Sequence, residues 1–199
     1  MSAEEELRAE IARLASERDA ALAEAKRLKR RLAEVEQLAD RDPLTPVLNR
    51  RAFLRELQRT AAFCARYGAP AALVYLDLDG FKAVNDRYGH AAGDAMLEAV
   101  AQGLLDNVRE SDVVARLGGD EFAVLLAQAD AGAAMAKAAS LTTELEGAPV
   151  VFEGRAIAIR ISAGVRTYER GLTPAQWVAE ADAAMFVRKG ALRLGSPMP

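Results

Sequence analysis

The stretch Val113-Val-Ala-Arg-Leu-Gly-Gly-Asp-Glu-Phe-Ala-Val-Leu-Leu126 governs how the rest of the chain is read. Two apolar runs, Val113 to Leu117 and Asp120 to Leu126, stand on either side of Gly118 and Gly119. The pattern predicts two antiparallel strands joined by the shortest hairpin connection, in which the glycines supply the positive φ that such turns require. The second strand begins with two carboxylates, Asp120 and Glu121, and acids at a glycine turn are either solvated or put to chemical use.

Outward from the hairpin, Ala71 to Leu78 is a continuous apolar run containing Leu73, Val74, Tyr75 and Leu76, as expected of a strand covered on both faces. It ends in Asp77, with Asp79 two residues on. Asp77 and the Asp120–Glu121 pair could therefore meet as acidic oxygens from two adjacent strand ends, the hard ligand set that Mg²⁺ prefers while it keeps sites for phosphate oxygens. A single histidine, His90, speaks against a histidine-rich transition-metal site. Helices are predicted over Arg50 to about Tyr67, closed by Gly68 and Pro70, and over Ala91 to Asn107, where Met96, Leu97, Val100, Leu104 and Leu105 recur at helical spacing. Downstream come an Ala-rich helix over Ala131 to Glu146, a hairpin-like pair over Pro149 to Phe152 and Arg155 to Val165, and a last helix over Pro174 to Lys189. This order implies an α/β sandwich, with helices flanking a central, mostly antiparallel sheet.

The chain has 199 residues, 51% apolar and 28% charged, enough for one domain and an extension. Its net charge of −3 and sparse aromatics exclude the basic stripe and stacking platform of a nucleic-acid binder. Cys64 is the only cysteine, so no intramolecular disulfide forms. The charged N-terminus offers neither a signal core nor a membrane span, and a cytoplasmic location is expected. Residues 1–40 lack Gly and Pro and are rich in Ala, Glu, Leu, Arg and Lys, the composition of a long helix. With Leu7, Leu14, Ala21, Leu28 and Val35 at position d and Ile11, Arg18, Ala25, Leu32 and Ala39 at position a, they predict a parallel dimeric coiled coil of modest stability. In that register Glu24 faces Lys29 of a second copy, and Arg31 faces Glu36. Pro43 and Pro46 stop the helix, and residues 41–199 form the second domain.

Those residues carry four motifs in order. Asp42, Leu44, Thr45, Leu48, Asn49, Arg50, Arg51 and Phe53 open the domain. Asp77, Asp79, Phe81, Lys82, Asn85, Asp86, Gly89, His90, Gly93 and Asp94 follow, then the glycine hairpin, then Ala181, Asp182, Ala184, Met185 and Lys189. From about Asp42 to Arg193 the chain resembles the GGDEF family of diguanylate cyclases, whose fold is similar to the palm of nucleotidyl cyclases and polymerases. The resemblance implies condensation of two GTP into cyclic di-GMP and two pyrophosphates. It assigns the metal, Mg²⁺ with Mn²⁺ as a substitute, to Asp77, the carbonyl of Leu78 and Asp120. Glu121 becomes a further ligand or part of the machinery that activates the attacking hydroxyl, and Gly118 and Gly119 let the nucleotide approach. Asn85 and Asp94 are assigned to the guanine edge, whose N1 and N2 hydrogens a carboxylate accepts. Backbone amides near Phe81 and Lys82, with Lys189 and Arg193, are assigned to the phosphates. His90 is a structural member of the Gly-His turn.

Arg109 and Asp112, in the order Arg-Glu-Ser-Asp, match the family's RxxD inhibitory site, where cyclic di-GMP binds as product. One site per domain and two GTP per product imply a homodimer joined through the coil, and a regulatory protein could bind that coil. Pro46, Phe186 and Leu192 depart from the family pattern, and the usual closing strand is missing or shortened. Two alternatives remain at this level. One is a catalytically silent module that binds GTP or cyclic di-GMP and signals through the coil; the other is a different nucleotide cyclase.

Overall fold

The computed structural model describes the backbone of residues 3–38 and 40–195. The chain divides into two compact units, Met1–Asp40 and Arg41–Pro199. The first contains α1 (Ala3–Leu38), a single helix of 36 residues. Its charged side chains pair along its own surface, Arg13 with Glu10 and Glu17, and Arg27 with Glu24. Leu14 and Leu28, two of the expected seam positions, stand half-exposed, as does Leu22, which lies off the seam. Several other seam side chains, Leu7, Ile11, Leu32, Val35 and Ala39 among them, lie outside the described residues, as does Glu36.

The second unit opens with β1 (Leu48–Asn49) and α2 (Arg50–Tyr67). The Asn49 side chain caps α2 by accepting from Ala52 N, and Gly68 ends it at φ 69°, its N–H donating to Cys64 O. β2 (Ala71–Leu78) spans the predicted bounds. Then follow α3 (Phe81–Tyr88), α4 (His90–Asp106), β3 (Val113–Arg116), β4 (Glu121–Ala127), α5 (Ala131–Gly147), β5 (Val150–Phe152), β6 (Arg155–Ile157), β7 (Ile161–Thr167) and α6 (Pro174–Gly195).

The main sheet has the order β1-β3-β4-β2-β7, parallel only between β1 and β3. Alternation along β2 divides the core. Ala72, Val74, Leu76 and Leu78 face Met96, Leu97 and Val100 of α4 and Ala138 and Leu141 of α5, whereas Ala71, Leu73 and Tyr75 join Phe53 and Leu57 of α2 and Trp177, Ala181 and Met185 of α6. Asp77 continues the second row. On β4, Glu121 shares the parity of Ala123 and Leu125, which belong to that same core, and the register sets Asp77 directly opposite Glu121. Sheet geometry alone therefore brings both acids to the face covered by α2 and α6.

Three features differ from expectation. The segment after β2 is a helix, α3, that periodicity does not reveal: it has eight residues and no buried side chain. The expected strand Arg155 to Val165 is two strands, β6 paired with β5 in a separate two-stranded sheet and β7 paired with β2. Ile159 between them is itself buried, which makes the run read as continuous. The hairpin glycines do not adopt positive φ. The connection is the four residues between Arg116 and Glu121, wider than a two-residue turn, closed by Leu117 N donating to Glu121 O at 2.8 Å.

Candidate active site

The glycine turn is held by Arg116. Its Nε donates to the carbonyls of Gly118 and Gly119, each at 3.1 Å, and its Nη2 to Gly119 O at 2.7 Å. Its Nη1 reaches Asp42 Oδ1 at 3.1 Å. That carboxylate also accepts from the backbone N–H of Leu44 and Thr45 and from the Thr45 hydroxyl. Burial would raise the Asp42 carboxyl, but the bonds from Thr45 and Arg116 outweigh it and hold the group below its ordinary value. The Pro43–Pro46 segment is thus folded onto the turn. Arg116 and Asp42 both belong to the motifs, and an Arg two residues before a Gly-Gly turn is the local signal of this contact.

Gly118 has a spatial reason. A Cβ there would lie 2.3 Å from Glu121 Oε2, so the Glu121 side chain folds back over the turn. A Cβ on Gly119 would meet nothing within 4 Å. Beneath Glu121 lies Tyr75, whose hydroxyl pKa is pushed up by burial and then by a hydrogen bond with the Glu121 carboxylate.

Asp120 lies beside the tip of β2, close enough to feel the charge of Asp77. Leu78 N donates to Asp120 O at 3.2 Å, locking the tip of β2 to the turn. Burial and then the charge of Asp77 raise the Asp120 carboxyl above its ordinary value. Two carboxylates that repel one another in a partly desolvated notch fit a hard divalent cation, which would remove that repulsion. Glu121 is turned toward Tyr75, and among the described residues no set of three acidic, His or Cys side chains stands ready around one point.

Lys189 crosses the notch from α6. Its Nζ contacts Asp77 Oδ1 and sits 2.5 Å from Asp79 Oδ1. Burial works against its charge, but hydrogen bonds to Asp77 and Asp79 prevail and raise its pKa. Asp79 is pinned further by Ser162 Oγ, which donates to its Oδ2 at 2.7 Å. Ser162 escapes a sequence reading because it lies 83 residues away and reaches Asp79 only through the β2–β7 pairing. The side chain of Arg193 lies outside the described residues.

On the other side, α3 begins after Gly80 (φ 77°) with no side-chain cap, so its first amides point outward from Phe81 and Lys82. Asn85 stands half-buried on α3, and Asp94, the fifth residue of α4, is exposed. No side chain caps the start of α4, which follows Gly89. His90, first residue of α4, is exposed. Arg109 and Asp112 lie apart from this cluster, in the loop before β3. The Asp112 carboxylate accepts from Arg109 N at 3.0 Å and Ala127 N at 3.1 Å, so it shapes the loop against β4 while the Arg109 residue is exposed.

A family model described as diguanylate cyclase, GGDEF domain, matches residues 39–193. Diguanylate cyclase TpbB of Pseudomonas aeruginosa is 37% identical over 187 residues, 91% of this chain and 43% of that protein. The chain thus spans less than half the length of this curated relative. Among solved structures, the coiled coil and GGDEF domain of DgcB from Caulobacter crescentus in complex with c-di-GMP superposes with a TM-score of 0.76 at 30% identity, covering 90% of this chain and 94% of that one. Diguanylate cyclase SiaD of Pseudomonas aeruginosa, in complex with its activator SiaC, gives 0.73 at 30% identity, with 94% and 79% covered. With its matched span running from the linker into the last turn of α6 and its acids gathered at the tips of β2 and β4, this chain belongs to the GGDEF-domain family of diguanylate cyclases.

Proposed function

We propose that the second unit condenses two GTP into cyclic di-GMP and two pyrophosphates, each of two copies holding one GTP. The observation that carries this reading is the meeting of Asp77 and Asp120 beside Lys189 and the uncapped start of α3, a notch with acid for a cation and positive charge for a triphosphate. Asn85 and Asp94 hold the guanine. The α3 amides, Lys189 and Arg193 hold the phosphates. In each half-reaction the ribose 3′-oxygen of one GTP forms a bond to the α-phosphorus of the other. The bond from that phosphorus to the bridging oxygen breaks, pyrophosphate leaves with the electron pair, and the hydroxyl proton passes to Glu121 or to water. Mg²⁺, or Mn²⁺ in its place, would be held by Asp77, the Leu78 carbonyl and Asp120 with Glu121 as a further ligand, and when bound lowers the hydroxyl pKa and neutralises charge on the phosphoryl groups.

Neither half-reaction proceeds within one copy, so two sites must face each other. Orientation of bound reactants is worth on the order of 7 to 11 kcal/mol in favourable cases. A parallel coil over residues 1–40 would supply that proximity. SiaD's complex with an activator supports control by a partner protein, and DgcB's complex with c-di-GMP supports product binding. We assign that product to Arg109 and Asp112, where it inhibits without competing with GTP, and the reaction to the cytoplasm. The deciding assay is incubation with GTP and Mg²⁺ followed by chromatography: cyclic di-GMP is expected, whereas unreacted GTP would point to a silent module and a different cyclic nucleotide to another cyclase. In Arg109→Ala, turnover is expected to persist while product inhibition disappears; unchanged inhibition would remove the site.

A further inference from the structure

Gly93 is buried, the fourth residue of α4, and its backbone is ordinary helix with no positive φ. Nothing in its conformation calls for glycine, and alanine is the better helix former. What calls for glycine is space. A Cβ on Gly93 would lie 2.0 Å from Asn85 Oδ1, 3.0 Å from Asn85 Cγ and 3.1 Å from Phe81 Cζ. The Asn85 carboxamide therefore occupies the volume that any other residue on α4 would fill.

We propose that Gly93 is a specificity-determining positioning residue: its missing side chain is the seat in which the Asn85 amide is held to read guanine. The inference rests on the assignment of Asn85 to the base and deepens it. Asn85 cannot adjust through its backbone, because its carbonyl accepts from Gly89 N at 2.9 Å across the α3–α4 junction. Only its side-chain torsions are free to yield. Yielding is easy for the fold, since the obstructed atom is the end of a short side chain, and harmful to recognition, since a donor and an acceptor then miss the base. Asp94, the other guanine residue, follows Gly93 immediately in the chain, so this glycine packs against one of the two groups that read the base and adjoins the other.

The test is equilibrium binding of the non-condensing α,β-methylene analogues of GTP and ATP to the full chain, with turnover of GTP measured alongside. Gly93→Ala is expected to keep its urea midpoint at or above that of the parent and to lose about tenfold of the preference for guanine. KM for GTP should rise while kcat at saturation changes less. Asn85→Ala should lose as much preference, and the double variant no more than either. If Asn85→Ala keeps the preference, the reading of Asn85 fails. If Asn85→Ala loses it and Gly93→Ala does not, the inference about Gly93 is overturned. A lowered midpoint in Gly93→Ala overturns it as well, because α4 rather than Asn85 would then have moved.

Discussion

Asp42 and Arg116, only 13% and 14% exposed, join the linker to the turn that carries Asp120. Removing the carboxylate in Asp42→Ala takes the partner from Arg116 Nη1 and from three other donors, the Leu44 and Thr45 N–H groups and the Thr45 hydroxyl, and should lower stability by about 2 kcal/mol, read from the urea midpoint. Its folded pKa lies below the ordinary 3.8, so the native state binds the proton less readily than the unfolded chain. The contribution is therefore complete above that ordinary value and drains away as the pH falls through it toward the lowered one. Asp42→Asn should flatten that part of the acid limb, and an unaltered limb would show that the bond carries no stability. The two glycines of the turn separate space from chemistry. Gly119→Ala meets nothing and has no positive φ to violate, so it should unfold within about 0.5 kcal/mol of the parent. On the proposed function its turnover should nevertheless collapse, because the added methyl would stand in the path of the nucleotide. Normal turnover would show that the approach lies elsewhere. The identities of these residues were readable from the chain. The reach of Arg116 across 74 positions to Asp42 was not, since no local pattern encodes it.

At the scale of elements, α6 matters through its depth. Gly164 on β7 lets the helix backbone lie against the strand: a Cβ would fall 2.2 Å from Met185 N and 2.3 Å from Ala181 O. Backbone cannot swing aside as the Asn85 side chain can. Gly164→Ala should therefore cost about 1–3 kcal/mol and lift α6, carrying Lys189, one turn beyond Met185, away from Asp77 and Asp79. Denaturation together with GTP affinity checks this, and weakened binding without lost stability would contradict the mechanism. α2 and α4 were legible because each has enough turns for its period to show, and β2 because its apolar run Ala71–Leu78 is nearly unbroken. α3 was not, being short and unburied, and the break between β6 and β7 was hidden by the buried Ile159.

At the scale of the molecule, the two units Met1–Asp40 and Arg41–Pro199 pose a question of assembly. Deleting residues 1–40 should leave a folded second unit that sediments as a monomer. Its turnover per mole should rise with protein concentration, since a coil raises the local concentration of the partner site to about the millimolar range. A deletion variant that stays dimeric would sever the coil from assembly. Among the described residues no helix is long and apolar enough to cross a membrane. By itself, the order of residues determined the layered sheet, the long first helix and which side chains carry charge at the strand tips, because apolar period, glycine position and acid clustering are local properties. Only the tertiary structure decided that Asp77 faces Glu121 across a strand pair, that Lys189 and Ser162 close on Asp79, and that Gly93 makes room for Asn85. Those contacts depend on strand register and on helix depth over the sheet, which follow from the packing of the whole core and are written in no single stretch of chain.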